Sequence, residues 1–160
     1  MRHTLSRMKA RGREDRGFTM IELLVVVVII GILVAIAVPV YLNYRKGAAN
    51  KSAASDVRGA ITAIEQYYTE NANSYPLAAG AGKENDAAGE DLTIGAASEK
   101  ITVSPGNRVY YKNNSTGAQT TYYICGYNED GNQAYIYNSS SGGSVKKASG
   151  TYGNCKLTGT

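Results

Sequence analysis

Few side chains in this 160-residue chain could do chemistry, and their placement limits what that chemistry could be. Glu22 is the single charge between Gly17 and Arg45, set at the start of a strongly apolar stretch. A carboxylate in such surroundings is costly unless it reaches an interface or finds a cation. The only histidine, His3, lies in a basic N-terminal segment, so a chain that loses that segment keeps no imidazole as general base or metal ligand. Cys125 and Cys155 lack the close pairing of zinc or redox motifs. Glu84, Asp86, Glu90 and Asp91 crowd a Gly/Ala-rich stretch, but their spacing follows no calcium-loop pattern, and they read as solvated charge. We expect no catalytic residue, no cofactor and no metal.

The elements that must position Glu22 are read from the charge and hydropathy pattern. The net charge of +4 is concentrated: residues 1–17 hold six basic residues against two acidic ones, and the rest of the chain carries eleven of each sign. The basic character therefore belongs to a targeting segment. Leu23–Val38 contains no polar side chain, and at about 1.5 Å per residue a helix there can cross an apolar layer of about 30 Å. The positive-inside bias places the N-terminus in the cytoplasm and the chain after Tyr41 outside. Two other readings stay open at this point. Ala35-Ile36-Ala37 matches the small-x-small end of a secretory signal, although the apolar run is long for one, and an uncleaved signal anchor has the same flanking charge.

Pro39 falls inside the projected helix and cannot bond the Ala35 carbonyl, so a bend or local melting is expected there. Gly31, Gly47 and Gly59 weaken the same helix, by about 1 kcal/mol each relative to Ala, or serve close helix packing. After Arg45 the apolar residues become periodic: Ala53, Val57, Ala60, Ile61, Ile64, Tyr67 and Tyr68 mark one helical face. Asn71–Asn73 and Pro76 should end the helix.

Residues 77–100 read as loop. Beyond them, Ile101–Val103, Arg108–Lys112, Thr120–Tyr127, Gln133–Tyr137 and a short run at Thr151–Tyr152 read as strands, with a turn at Glu129–Asn132. The expected fold is α+β, a long N-terminal helix packed on a small antiparallel sheet, with one face of Thr120–Tyr127 against Val57, Ile61 and Ile64. The expected organisation is a leader at 1–17, an apolar half-helix at 18–44, an amphipathic half at 45–72 and a head at 73–160. Thirteen tyrosines, one phenylalanine and no tryptophan make Tyr the core aromatic. No basic stripe accompanies the rings, so no dedicated nucleic-acid site is expected, beyond a weak patch at Lys146 and Lys147. Asn114-Ser115-Thr116 and Asn138-Ser139-Ser140 match glycosylation sequons, a frequent coincidence in such a composition.

Gly17-Phe18-Thr19-Met20-Ile21-Glu22-Leu23-Leu24 resembles the type III signal of the type IV prepilin family, and the likeness continues through Gly31, Pro39 and Tyr41 into Ala63–Tyr68. That resemblance covers about the first half of the chain. It implies a cut between Gly17 and Phe18 by prepilin peptidase, N-methylation at Phe18, and retention of the apolar helix. It also implies that Glu22 pairs with the Phe18 α-amino group of a neighbouring subunit. The implied partners are other copies of the chain, the pilus assembly machinery and the membrane before assembly. The implied function is that of a major type IV pilin. A pseudopilin of a type II secretion system and a membrane-tethered exported binding module are the alternatives. Gly31 to Pro39 is then the place for any unwinding on assembly. Pilins commonly close a C-terminal loop, and an exported location permits a Cys125–Cys155 disulfide worth roughly 3.5 kcal/mol; two free thiols remain the other possibility.

Overall fold

The computed structural model describes residues 17–76, 82–95, 99–114 and 121–159. Residues 1–16 of the expected leader, most of the first sequon and Thr120 lie outside them. The chain divides into two units, 1–39 and 40–160. One helix, α1, is assigned from Met20 to Glu70 without interruption at Pro39. In the first unit its residues are exposed throughout and, Glu22 apart, apolar. It ends as expected in a turn at Asn71–Asn73, where Ala72 and Asn73 take positive φ.

Among the described residues of the second unit seven strands follow: β1 (Lys83–Glu84), β2 (Leu92–Ile94), β3 (Glu99–Ile101), β4 (Asn107–Asn113), β5 (Tyr122–Asn128), β6 (Tyr135–Asn138) and β7 (Lys146–Lys147), then a short helix α2 (Tyr152–Thr158). They form a five-stranded sheet in the order β1-β4-β5-β6-β7 and a separate β2-β3 hairpin, all antiparallel. The fold is thus α+β, a long N-terminal helix on an antiparallel sheet.

The period-2 alternation of β5 divides the core in two. Tyr122 and Ile124, with Val109 and Tyr111 of β4, pack against Val57, Ala60 and Ile64 of α1, and Ile61 borders them. Tyr123 and Cys125 point the other way, towards Ile136, Ala148 and Cys155. The helix approaches closely at Gly126, where an added Cβ would lie 2.4 Å from Val57 Cγ2 and 3.1 Å from the Ala53 carbonyl oxygen. Only glycine allows that approach.

Several elements differ from the expected ones. The run Ile101–Val103 starts earlier, as β3, and pairs with β2, which falls inside a stretch read as loop. Two-residue strands such as β1 and β7 carry too little pattern to be seen alone, and form because a neighbour offers a free edge. Lys146 and Lys147, read as a weak basic patch, are that edge; lysines there discourage further strand pairing. Thr151–Tyr152 is no strand. Thr151 is the N-cap of α2, its hydroxyl accepting from Asn154 N at 3.4 Å, and Gly159 closes the helix at φ 67°.

Candidate functional site

Glu22 occupies the third position of α1, and Thr19 is the residue that caps it. Thr19 Oγ1 accepts from Glu22 N at 3.3 Å, while the Glu22 carboxylate accepts from Thr19 N at 2.9 Å and from Thr19 Oγ1 at 2.7 Å. This is the reciprocal capping box of a Thr-x-x-Glu start, and it satisfies amide donors that an α-helix otherwise leaves open. The partial positive charge of the helix N-terminus favours a carboxylate at the same place. The first helical bond, Leu23 N to Thr19 O, follows at 3.2 Å.

Both hydrogen bonds from Thr19 end on Oε2 of the carboxylate, which leaves Oε1 for a donor from elsewhere. Gly17 and Phe18 lead into the cap with Phe18 fully open to the surroundings, and with Thr19 and Glu22 they line a shallow depression. Proteolysis after Gly17 would therefore create an amine next to a fixed carboxylate. The capping role of Thr19 went unread in the sequence, although its spacing to Glu22 ahead of an apolar run was the signal.

Gly31 and Pro39 lie in the exposed apolar part of α1, and an added Cβ at Gly31 would meet nothing. Cys125 and Cys155 are bonded, with their Cα atoms 6.0 Å apart and neither side chain exposed. The bridge ties α2 to the centre of the sheet. Lys156 adds an ion pair to Glu84 at 2.6 Å, and Tyr152 donates to the same carboxylate at 2.9 Å. Asp91 accepts from Val103 N at 3.3 Å. Two acids of the Gly/Ala-rich stretch thus serve the fold, and among the described residues no group of three or more His, Cys, Asp or Glu is placed to hold a metal.

A polar network fixes the amphipathic half of α1 to the head. Buried Asp56 accepts from Ser104 N at 2.7 Å, Ser104 Oγ at 2.8 Å and Asn107 Nδ2. Asn107 also donates to Ser52 and accepts from Asn128 at 2.6 Å. A carboxylate on an amphipathic helix ordinarily faces water; the burial of Asp56 follows from its three donors on the strand side. Nearby, Glu65 receives Tyr122 and Tyr75. Burial, then the Glu65 charge, pushes the Tyr75 phenol up to about 12. Burial and the Glu65 bond raise Tyr122 further.

The family described as "Prokaryotic N-terminal methylation motif" matches residues 12–38. "Type II secretion system core protein G" of Pectobacterium carotovorum subsp. carotovorum is 37% identical over 65 residues, 41% of each chain. "Type IV major pilin protein PilA" of Myxococcus xanthus is 39% identical over 56 residues, 35% of this chain and 26% of that one. A "Type II secretion system core protein G" of Dickeya chrysanthemi is 30% identical over 98 residues, 61% of this chain and 56% of that one. The chain spans less than half the length of the first two.

Proposed function

We propose that the chain is the precursor of a major type IV pilin, a structural and not an enzymatic protein; the match of residues 12–38 to the prokaryotic N-terminal methylation motif supports this. Prepilin peptidase cuts between Gly17 and Phe18 and methylates the new Phe18 amine. Before assembly the apolar part of α1 holds the subunit in the membrane, N-terminus on the cytoplasmic side. On assembly it packs against other copies in a surface filament. Glu22 sets the register by pairing its carboxylate with the Phe18 amine of a neighbour, a pair that a low-dielectric bundle strengthens and whose breakage it penalises. Gly31 and Pro39 supply the weak stretch that lets the helix adjust.

The observation that carries this reading is the capped Glu22, one turn into an exposed apolar helix directly after Gly17-Phe18. Mass analysis of material sheared from cells tests it: a start at N-methylated Phe18 is expected, and a start at Val38 would mean a secreted globular protein. Glu22→Ala should abolish filaments while the subunit still reaches the membrane. Unchanged filaments would sink the register role and leave a tethered binding module.

A second reading, the pseudopilin of a type II secretion system, is favoured by one observation: the overlap with the Dickeya chrysanthemi core protein G reaches past α1 into the head. Abundant subunit in sheared surface filaments supports the pilin. Subunit confined to the envelope, with secretion lost on deletion, supports the pseudopilin.

A further inference from the structure

Between the apolar run and the docked part of α1 lies a short stretch with its own chemistry. Tyr41 and Tyr44 are 64% and 77% exposed although both are aromatic. With Arg45 they sit at i, i+3 and i+4, on one helical face, and exposed Lys46 extends the cationic surface around the helix. Aromatic rings beside cations, at the end of an apolar span, are what the boundary between hydrocarbon and water selects. The length agrees. Leu23–Val40 makes roughly 27 Å of helix at about 1.5 Å per residue, against a hydrocarbon layer of about 30 Å.

A second, independent observation fixes the depth. The loop between β5 and β6 is fastened to α1 at this stretch and one turn beyond it. Asp130 pairs with Arg45 at 2.8 Å, and Asn50 Oδ1 accepts from Asn132 N and Gln133 N, each at 3.1 Å. Asn50 Nδ2 donates to Asn132 at 3.0 Å. A polar loop with exposed backbone cannot enter hydrocarbon, so it stops the helix from sinking further. Its acids do not repel phosphate strongly, since Asp130 is paired with Arg45 and Glu129 with Arg108 at 3.2 Å, and Lys46 then supplies the surplus positive charge of the stretch.

We propose that Tyr41, Tyr44, Arg45 and Lys46, backed by the β5–β6 loop, form a collar that seats in the headgroup layer of a bilayer containing anionic phospholipid, and so sets the depth of the unassembled subunit. This rests on the membrane-span reading above, and the test separates the two. The chain has no tryptophan, so a single one reports its own position. Tyr41→Trp, Tyr44→Trp and Ile29→Trp are each made in the full chain, at exposed positions where the fold is undisturbed. Each is reconstituted in vesicles of phosphatidylcholine and phosphatidylglycerol carrying bromine either near the carbonyls or near the chain ends.

The tryptophans at 41 and 44 should emit to the blue of an aqueous indole and lose more emission to the shallow bromine. The one at 29 should lose more to the deep bromine. Emission at 44 should move to the red when phosphatidylglycerol is left out. A deep tryptophan at 29 with 41 and 44 emitting as in water, or quenched best from the chain ends, overturns the collar and keeps the span. An unchanged emission at 44 without phosphatidylglycerol overturns the anionic-lipid part. A tryptophan at 29 quenched by neither bromine overturns the span and the collar together.

Discussion

Tyr122 donates its hydroxyl to Glu65 at 2.6 Å from a side chain with no exposed surface. Tyr75 approaches the same carboxylate at 3.3 Å and stacks on Tyr68 with ring centroids 4.4 Å apart. Both phenols keep their protons to higher pH in the folded chain than in the unfolded one, where the ordinary value is 10.0. Their contribution is therefore complete below about pH 10 and is lost as pH climbs towards and through about 12. Denaturant midpoints of detergent-solubilised protein should be flat from pH 7 to 9 as far as these groups are concerned and fall above 10. Tyr122→Phe should cost about 1–2 kcal/mol at neutral pH and flatten the alkaline decline. An equally steep decline in that variant would assign it to other groups.

Gly126 faces Val57 and the Ala53 carbonyl across a tight helix-sheet contact. Gly126→Ala should destabilise the head by about 1–3 kcal/mol, because backbone on one side and a stiff β-branched residue on the other cannot yield cheaply. Calorimetry of the oxidised protein reads this directly, and a midpoint within error of the parent would show that α1 shifts more freely than the packing implies. Val57→Ala in the same background should recover part of the loss.

Removing the Asp56 carboxylate strands Ser104 and Asn107 donors inside the protein. Asp56→Ala should cost about 2–4 kcal/mol, more than an ordinary surface acid on a helix. Hydrogen exchange should locate the damage: the Ser104 amide, which bonds Asp56 Oδ2, should lose protection first.

At the other end of α1, Thr19→Ala removes the cap, a loss of about 1 kcal/mol for a typical N-cap. Exchange at Leu23, whose amide closes the first turn on Thr19, should rise while exchange near Val57 stays unchanged. Thr19→Ser should behave as the parent. Faster exchange in both variants would mean that the methyl group, not the hydroxyl, matters.

Long periodic elements were legible in the sequence. The stripe Val57, Ala60, Ile61, Ile64 and the alternation of Tyr122 to Tyr127 anticipated both faces of the main contact, and the α1 end and the β5–β6 turn fell where Asn, Pro and Asp-Gly placed them. Short elements were not. β1, β2 and β7 have two or three residues each and owe their conformation to a neighbouring strand, which no local pattern encodes. The helix α2 was hidden because Tyr and Thr favour strands, while its cap, its left-handed Gly159 and its sulfur bridge act only once the chain has folded. At the candidate site, Glu22 stood out by its charge in an apolar run and Phe18 by resemblance; Thr19 was passed over because its role is a hydrogen bond rather than a charge.

The Cys125–Cys155 bridge also decides where a pulling force would travel. Its two ends are 30 residues apart in sequence, and the segment between them holds β6 and β7. Tension applied beyond Cys155 crosses the sulfur atoms straight into the middle of β5, and the bypassed hairpin carries none of it. Stretched from Gly159, the oxidised chain should fall short of the reduced chain's full extension by about 100 Å, at about 3.5 Å per residue. Under load applied at the C-terminus, the β7 edge of the sheet would be the last part to feel the strain.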